Sequence, residues 1–235
     1  IEKYWVITLL SMVAFAIVVI KIRRLYKENV RKIEELAFTD FVTGGSNNAA
    51  FLIDAKKKIE ENEKKRYAFV FLNILGFKNI NEKYGVTAGN HVLKFIYQIL
   101  KSCIEEGEMV ARSESDHYFL LLQEETEEAV QNRIDVMMEK IHGAEAETAY
   151  GYGISFSQGA SFIEENDREL HVHQNRAVVA SEYYNNTKHC VFYNQELSTK
   201  LNREIVLNES FESAIENEKF EIYFQPKVNL KNEKT

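Results

Sequence analysis

Val110-Ala111-Arg112-Ser113-Glu114-Ser115-Asp116-His117-Tyr118-Phe119-Leu120-Leu121-Leu122 is the stretch whose reading decides the fold. Val110 closes one short apolar run, and Tyr118 to Leu122 form a second. A polar knot, Arg112 to His117, lies between them. Two strands joined by so few residues pair as a β-hairpin. Polar side chains at its tip face solvent or a ligand. Asp116 and His117 are therefore either a solvated turn or part of a site.

Periodicity supplies the neighbours. Upstream, Thr87 to Ile104 is an amphipathic helix with Val92, Leu93, Ile96, Ile99, Leu100, Cys103 and Ile104 on one face. Before it, Gly76 to Gly85 reads as a turn with a short helix. Tyr67 to Leu72, YAFVFL, is a continuous apolar run, as expected of a central strand buried on both faces. Asp40 to Gly45 is a turn, after which Ser46 or Asn47 caps a helix through about Glu63. Downstream, Thr126 to Ile141 is a helix with Val130, Ile134, Met137 and Ile141 inward. Tyr150 to Phe156 reads as a strand, Arg168 to Tyr184 as a helix and Cys190 to Tyr193 as an edge strand. This order predicts an α/β (α+β) sandwich with a central mixed, largely antiparallel sheet flanked by helices. A long helix, Glu196 to Asn217, follows, with Leu197, Leu201, Ile205, Phe211 and Ile215 on one face. Phe220 to Phe224 then opens a strand that has no partner before Thr235.

The N-terminal end has a different character. Tyr4 to Ile20, YWVITLLSMVAFAIVVI, carries no charge and is apolar on every face. At 1.5 Å per residue it is about 26 Å long, the depth of a bilayer core. Tyr4 and Trp5 suit the membrane interface. A signal peptide is disfavoured, because basic residues should precede its apolar part and a small-residue cleavage site is lacking. Lys21, Arg23, Arg24, Lys27, Arg31 and Lys32 follow instead, which places the remainder in the cytoplasm by the positive-inside rule. Residues 1–21 are thus expected to be a transmembrane helix of the cell membrane. Residues 22–39 are expected to be a cytoplasmic helical linker. Tyr26, Val30, Ile33 and Ala37 have heptad-like spacing there, which predicts a parallel homodimer. The first residue is Ile1, not methionine, so an upstream external part is expected.

Composition narrows the classes. A net charge of −7 argues against nonspecific nucleic-acid binding. Cys103 and Cys190 sit in apolar runs, which predicts reduced, buried thiols. His171 and His173 would not share a helix face, so they are not expected to form a metal site.

Three stretches fall into one pattern. Asp40-Phe41-Val42-Thr43-Gly44 comes first. Leu72-Asn73-Ile74-Leu75-Gly76-Phe77-Lys78-Asn79-Ile80-Asn81, with Gly85 and Gly89-Asn90, comes next. Arg112-Ser113-Glu114-Ser115-Asp116-His117-Tyr118 is last. Together they resemble the GGDEF domain of diguanylate cyclases, whose marks are DxLT, LDxDxFKxxND, GHxxGD and an RxGGDEF hairpin. The resemblance runs from about Leu36 to Asn194, with a domain expected over 40–195. It implies a cyclase-like palm fold. Phe220-Glu221-Ile222-Tyr223-Phe224-Gln225-Pro226 is similar to the opening strand of an EAL domain, the family of cyclic di-GMP phosphodiesterases. Residues 196–235 then read as a linker helix and the start of that domain, with its acidic signature expected beyond Thr235. Gln225 would be a cyclic di-GMP contact of that part.

The resemblance also implies what is altered. Joining two GTP molecules needs divalent cations on carboxylates. The family's acids in LDxD are here Asn73 and Leu75. Its hairpin acids are Asp116, which is retained, and His117. Its hairpin glycines, which let backbone approach nucleotide, are Glu114 and Ser115. Of the guanine-reading pair, Asn81 is retained and Asn90 replaces an aspartate. Lys78 keeps one phosphate contact, while later phosphate-binding positions hold Glu182 and Asn186. The inhibitory RxxD product site reads Glu105-Glu106-Gly107-Glu108. No catalytic residue, metal site or cofactor is therefore expected, with Mg2+ only if nucleotide still binds at Lys78, Asn81 and Asn90. Four functions compete: a regulatory module serving a following EAL domain, a GTP-binding effector module, a weak cyclase and a dimerisation scaffold. Cyclic di-GMP would enter through the EAL part.

Overall fold

The computed structural model describes residues 2–62, 64–146, 151–164, 169–183, 189–217, 219 and 223, without the side chains of 2–8, 146 and 212. Its strands are β1 (Ala68–Ile74), β2 (Met109–Arg112), β3 (His117–Leu122), β4 (Phe156–Phe162) and β5 (Val191–Phe192). They form one sheet in the order β2-β3-β1-β4-β5. The apolar run expected at the centre is β1, antiparallel to β3 on one side and β4 on the other. β2 and β3 make the expected hairpin, and β5 lies parallel to β4 at the far edge.

The helices are α1 (Glu2–Phe38), α2 (Asn48–Glu61), α3 (Phe77–Tyr84), α4 (Val86–Cys103), α5 (Glu127–Ala146), α6 (Leu170–Tyr183) and α7 (Gln195–Glu216). Strand alternation splits the core into two layers. Val70, Leu72, Ile74, Tyr118 and Leu120 meet α4 and α5 through Leu93, Ile96, Leu100, Val130, Ile134, Met137 and Ile141. Phe69, Phe71, Phe119 and Leu121 meet Phe51 and Ala55 of α2 and Ala177 of α6. The result is the helix–sheet–helix sandwich that the element order predicts.

One strand is misplaced by the sequence reading. The strand expected at Tyr150 to Phe156 begins at Phe156 and runs to Phe162. Backbone ahead of it is engaged elsewhere: the buried Glu145 carboxylate accepts from Gly153 N at 2.6 Å and Ile154 N at 3.3 Å. The polar-looking Ser157-Gln158-Gly159 sequence is strand because α6 lies hard against it. A Cβ on Gly159 would sit 2.0 Å from the Ala177 carbonyl oxygen. Smaller corrections concern ends. Asn47, not Ser46, caps α2, its Oδ1 accepting from Ala50 N at 3.0 Å. α5 continues past Ile141 to Ala146.

α1 is continuous through the expected linker, and Tyr26 and Ile33 of the heptad positions are exposed. Among the described residues no helix is long and apolar enough to cross a membrane. The span expected over Tyr4 to Ile20 is thus not found there; the side chains of its first residues, through Thr8, lie outside the description. The chain divides into two units, residues 1–193 and 194–235. In the second, Asn194 caps α7 by accepting from Leu197 N at 2.9 Å. Apart from Tyr223, the strand expected at Phe220 to Phe224 lies outside the described residues, as does Gln225.

Candidate functional site

The hairpin tip is built from its own arginine. Arg112 ends β2, and its Nη1 donates to Asp40 Oδ2 at 2.5 Å, with both side chains about nine-tenths buried. Its Nε donates to the Ser115 carbonyl at 3.0 Å, and Nη2 donates to the same oxygen. Asp40 Oδ1 in turn accepts from Thr43 N at 2.8 Å and Thr43 Oγ1 at 2.7 Å. A buried charge pair is tolerable when its remaining lone pairs and protons are used in this way. The turn after α1 is thereby fastened to the hairpin. Tyr97 of α4 holds the same turn from another side, because a Cβ on Gly45 would lie 2.0 Å from its ring. Within the hairpin, Ser113 N donates to the His117 carbonyl and His117 N to that of Glu114. Ser115 has φ 54°, a left-handed conformation that favours glycine. Glu114 and Ser115 are both exposed.

Strand register brings the sequence-predicted residues together. Ile74 N donates to the Asp116 carbonyl at 3.2 Å, so the next pair along, Asn73 opposite His117, is of the closer, non-hydrogen-bonded kind. Ser157 of β4 faces Asn73 from the other side. Asn73 Oδ1 is buried and has no hydrogen-bond partner. His117 sets its ring edge-on to Phe71 at 5.1 Å, and its Nε2 lies 3.8 Å from Asp116 Oδ1. The side chains of His117 and Asp116 are 37% and 18% exposed, so both reach solvent. Leu75 N is taken by the Ser155 carbonyl at 2.8 Å. The end of β1 thus offers one carboxylate, one imidazole and one amide oxygen. Among the described residues no cluster of three or more His, Cys, Asp or Glu is placed to hold a metal ion.

The second group lies on α3 and α4. Asn81 packs against Gly89, where a Cβ would fall 1.9 Å from its Oδ1. Glycine at that point is what lets Asn81 rest on α4 beside the exposed Asn90. Lys78, one turn earlier on α3, is in solvent with its Nζ 3.7 Å from Glu82 Oε1. Glu182 is exposed on α6, and Asn186 lies outside the described residues.

The Glu105 to Glu108 stretch has a structural occupation that sequence reasoning missed. Glu108 is fully buried and pairs twice with Arg133 of α5, at 2.6 and 3.1 Å. It also accepts from Glu105 N at 2.8 Å and Gln123 N at 3.1 Å. Arg133 adds Glu124 at 3.0 Å and the Cys103 carbonyl at 3.0 Å. Burial works against its charge, but the hydrogen bonds and charges of Glu108, Glu124 and Glu105 outweigh it and push its pKa up. The signal available in sequence was only an arginine on the inner side of an amphipathic helix.

Comparison with known proteins agrees with this geometry. Cyclic di-GMP phosphodiesterase PdeR of Escherichia coli is 24% identical over 204 residues, 84% of this chain and 30% of that protein. Signaling protein YkoW of Bacillus subtilis is 26% identical over 222 residues, 87% of this chain and 26% of that protein. The chain therefore spans less than a third of the length of these curated relatives. Among solved structures, the coiled coil and GGDEF domain of DgcB from Caulobacter crescentus, in complex with c-di-GMP, superposes with a TM-score of 0.64. That match covers 76% of this chain and 96% of that one at 17% identity, a likeness of fold. The family described as diguanylate cyclase, GGDEF domain, matches residues 37–185. The chain belongs to the GGDEF domain family.

Proposed function

We propose that this chain is a regulatory module of a cyclic di-GMP signalling protein and makes no cyclic di-GMP itself. The observation that carries this reading is Asn73. Its neutral amide lies one residue before the end of β1, where the resemblance calls for a carboxylate, and it faces His117 across the strand pair. Hard divalent cations take oxygen ligands and are held through carboxylates. Asp116 is the one carboxylate at this point, Leu75 is apolar, and Glu114 sets a negative charge at the tip where a triphosphate would lie. The donor set does not fit a pair of magnesium ions, so no catalytic step is assigned here. Glu108 is committed to Arg133 and is not free to read a product.

The signalling context comes from relatives such as PdeR, a phosphodiesterase by name. In this reading Tyr4 to Ile20 anchors the protein in the cell membrane, and α1 pairs with that of a second copy. The output lies in an EAL domain that opens near Phe220 to Pro226, with Gln225 as a cyclic di-GMP contact. A restoration series tests the assignment. Asn73→Asp alone should give no diguanylate cyclase activity, because Glu114 and Glu182 still oppose phosphate. Activity should require Asn73→Asp, Glu114→Gly, Ser115→Gly, His117→Glu and Glu182→Lys together. Activity from the single change would overturn the reading.

A second reading has one observation in its favour. Asn81 packs on Gly89, the residue before the exposed Asn90, so GTP could be held as an effector without turnover. Calorimetric titration with GTP, with and without magnesium, separates the two: binding lost on Asn81→Ala supports the effector, and no heat supports the plain relay.

A further inference from the structure

We propose that the stretch of α1 from Lys21 to Lys32 grips anionic phospholipid headgroups. This rests on the reading that Tyr4 to Ile20 lies in the membrane, and it adds the class of lipid. Charge comes first. Lys21, Arg23, Arg24, Lys27, Arg31 and Lys32 stand against Glu28 alone, in a chain whose net charge is −7. Everything outside the stretch is therefore more acidic than the chain as a whole. All six cations are exposed. Arg24 and Arg31 are partly neutralised, each with its Nε 3.1 Å from a carboxylate one turn on, Glu28 and Glu35. Among the described residues Lys21, Arg23, Lys27 and Lys32 have no ion-pair partner.

Placement selects the partner. α1 is one unbroken helix from the apolar run into the basic stretch, so the cations begin where Ile20 ends. A headgroup layer is roughly 6 Å deep, and long basic side chains reach back toward it. Lys27 is only about 9 Å along the axis from Lys21. Lys32, about 16 Å from Lys21, is some two screening lengths away. Basic clusters just outside an apolar span are held by the negative surface potential of anionic lipid. At 3.6 residues per turn the six cations occupy about half of the helix circumference, and Tyr26, Val30, Ile33 and Ala37 occupy the other half. Lipid contact and helix pairing thus use different faces. A nucleic acid suits the stretch less well, because its extended negative charge would meet the acidic remainder of the chain.

The test reconstitutes the whole chain in phosphatidylcholine vesicles carrying a trace of spin-labelled phosphatidylglycerol or phosphatidylcholine. Electron spin resonance then reads the fraction of each lipid held at the protein. The anionic lipid should be preferred about fivefold, the worth of one cation near a charged surface, and the preference should fade in high salt. Lys21→Gln with Arg23→Gln and Lys27→Gln should abolish it. Lys32→Gln should leave it nearly unchanged, and Glu28→Gln, which frees Arg24, should raise it. A chain that inserts but holds both lipids equally overturns this proposal alone, as does a preference that survives the triple change. A chain that fails to float with the vesicles overturns the membrane anchoring and the proposal with it.

Discussion

Arg112 joins the hairpin to the turn after α1, and its removal should be the costliest single change at the tip. Arg112→Ala leaves Asp40 buried and uncompensated, a loss of about 3–5 kcal/mol. Urea unfolding should show it, with Arg112→Met plus Asp40→Leu less damaging than Arg112→Ala alone. Ser115 at φ 54° points the other way. Ser115→Gly should relieve the left-handed strain, which exceeds the chain entropy that glycine adds, and gain about 0.5 kcal/mol; a lowered urea midpoint would contradict this. Tyr118 predicts a pH effect. Its phenol, buried and donating to the Leu93 carbonyl at 2.8 Å, has its pKa pushed up mainly by burial. That raised pKa means stability is fully present below pH ~10 and falls as pH rises beyond it, because only the unfolded chain ionises. Tyr118→Phe should flatten that alkaline loss in melts followed between neutral and alkaline pH. At this scale the sequence displayed the hairpin residues but not their partners. Asp40 and Arg112 lie 72 positions apart, and nothing local couples them. In sequence the Glu105 to Glu108 stretch shows only that the RxxD product site is absent; the structural role of Glu108 was not legible because its partner Arg133 sits on another element.

Elements follow periodicity where one face is plainly apolar. α4 and α5 were legible because their buried positions repeat at helical spacing, and the β2–β3 hairpin because two buried runs flank a short polar tip. β4 was not, since Ser157, Gly159 and Ser161 face α6 and are small for packing reasons rather than turn reasons. Tyr150-Gly151-Tyr152-Gly153 looked more like strand than the strand itself. Gly159 therefore carries an element-scale prediction. Gly159→Ala drives a Cβ into the Ala177 carbonyl and should cost roughly 2–3 kcal/mol, read as a lowered urea midpoint. Gly153→Ala, where the surroundings are open, should cost less, limited to the left-handed φ of 66°. Equal effects at the two positions would mean that α6 does not press on β4.

At the scale of the whole molecule, α1 ends at the turn that Arg112 and Tyr97 hold, so a change in the helix has a packed route to the hairpin. Relay of a signal further requires two arrangements that the signal biases differently. Val30→Asp with Ile33→Asp should convert a dimer to monomer in sedimentation while leaving the urea midpoint of the globular part unchanged. The family membership was legible from three motif stretches in register; the replacements at the family's acidic positions were legible only as residue types, and register then showed Asn73 and His117 facing one another. As a regulatory module this domain should turn over no GTP. The most direct measurement is incubation of the purified chain with GTP and either magnesium or manganese, with chromatography of the products. No cyclic di-GMP should form above a protein-free blank; product that forms with the wild-type chain and disappears on Asp116→Ala would show an active cyclase.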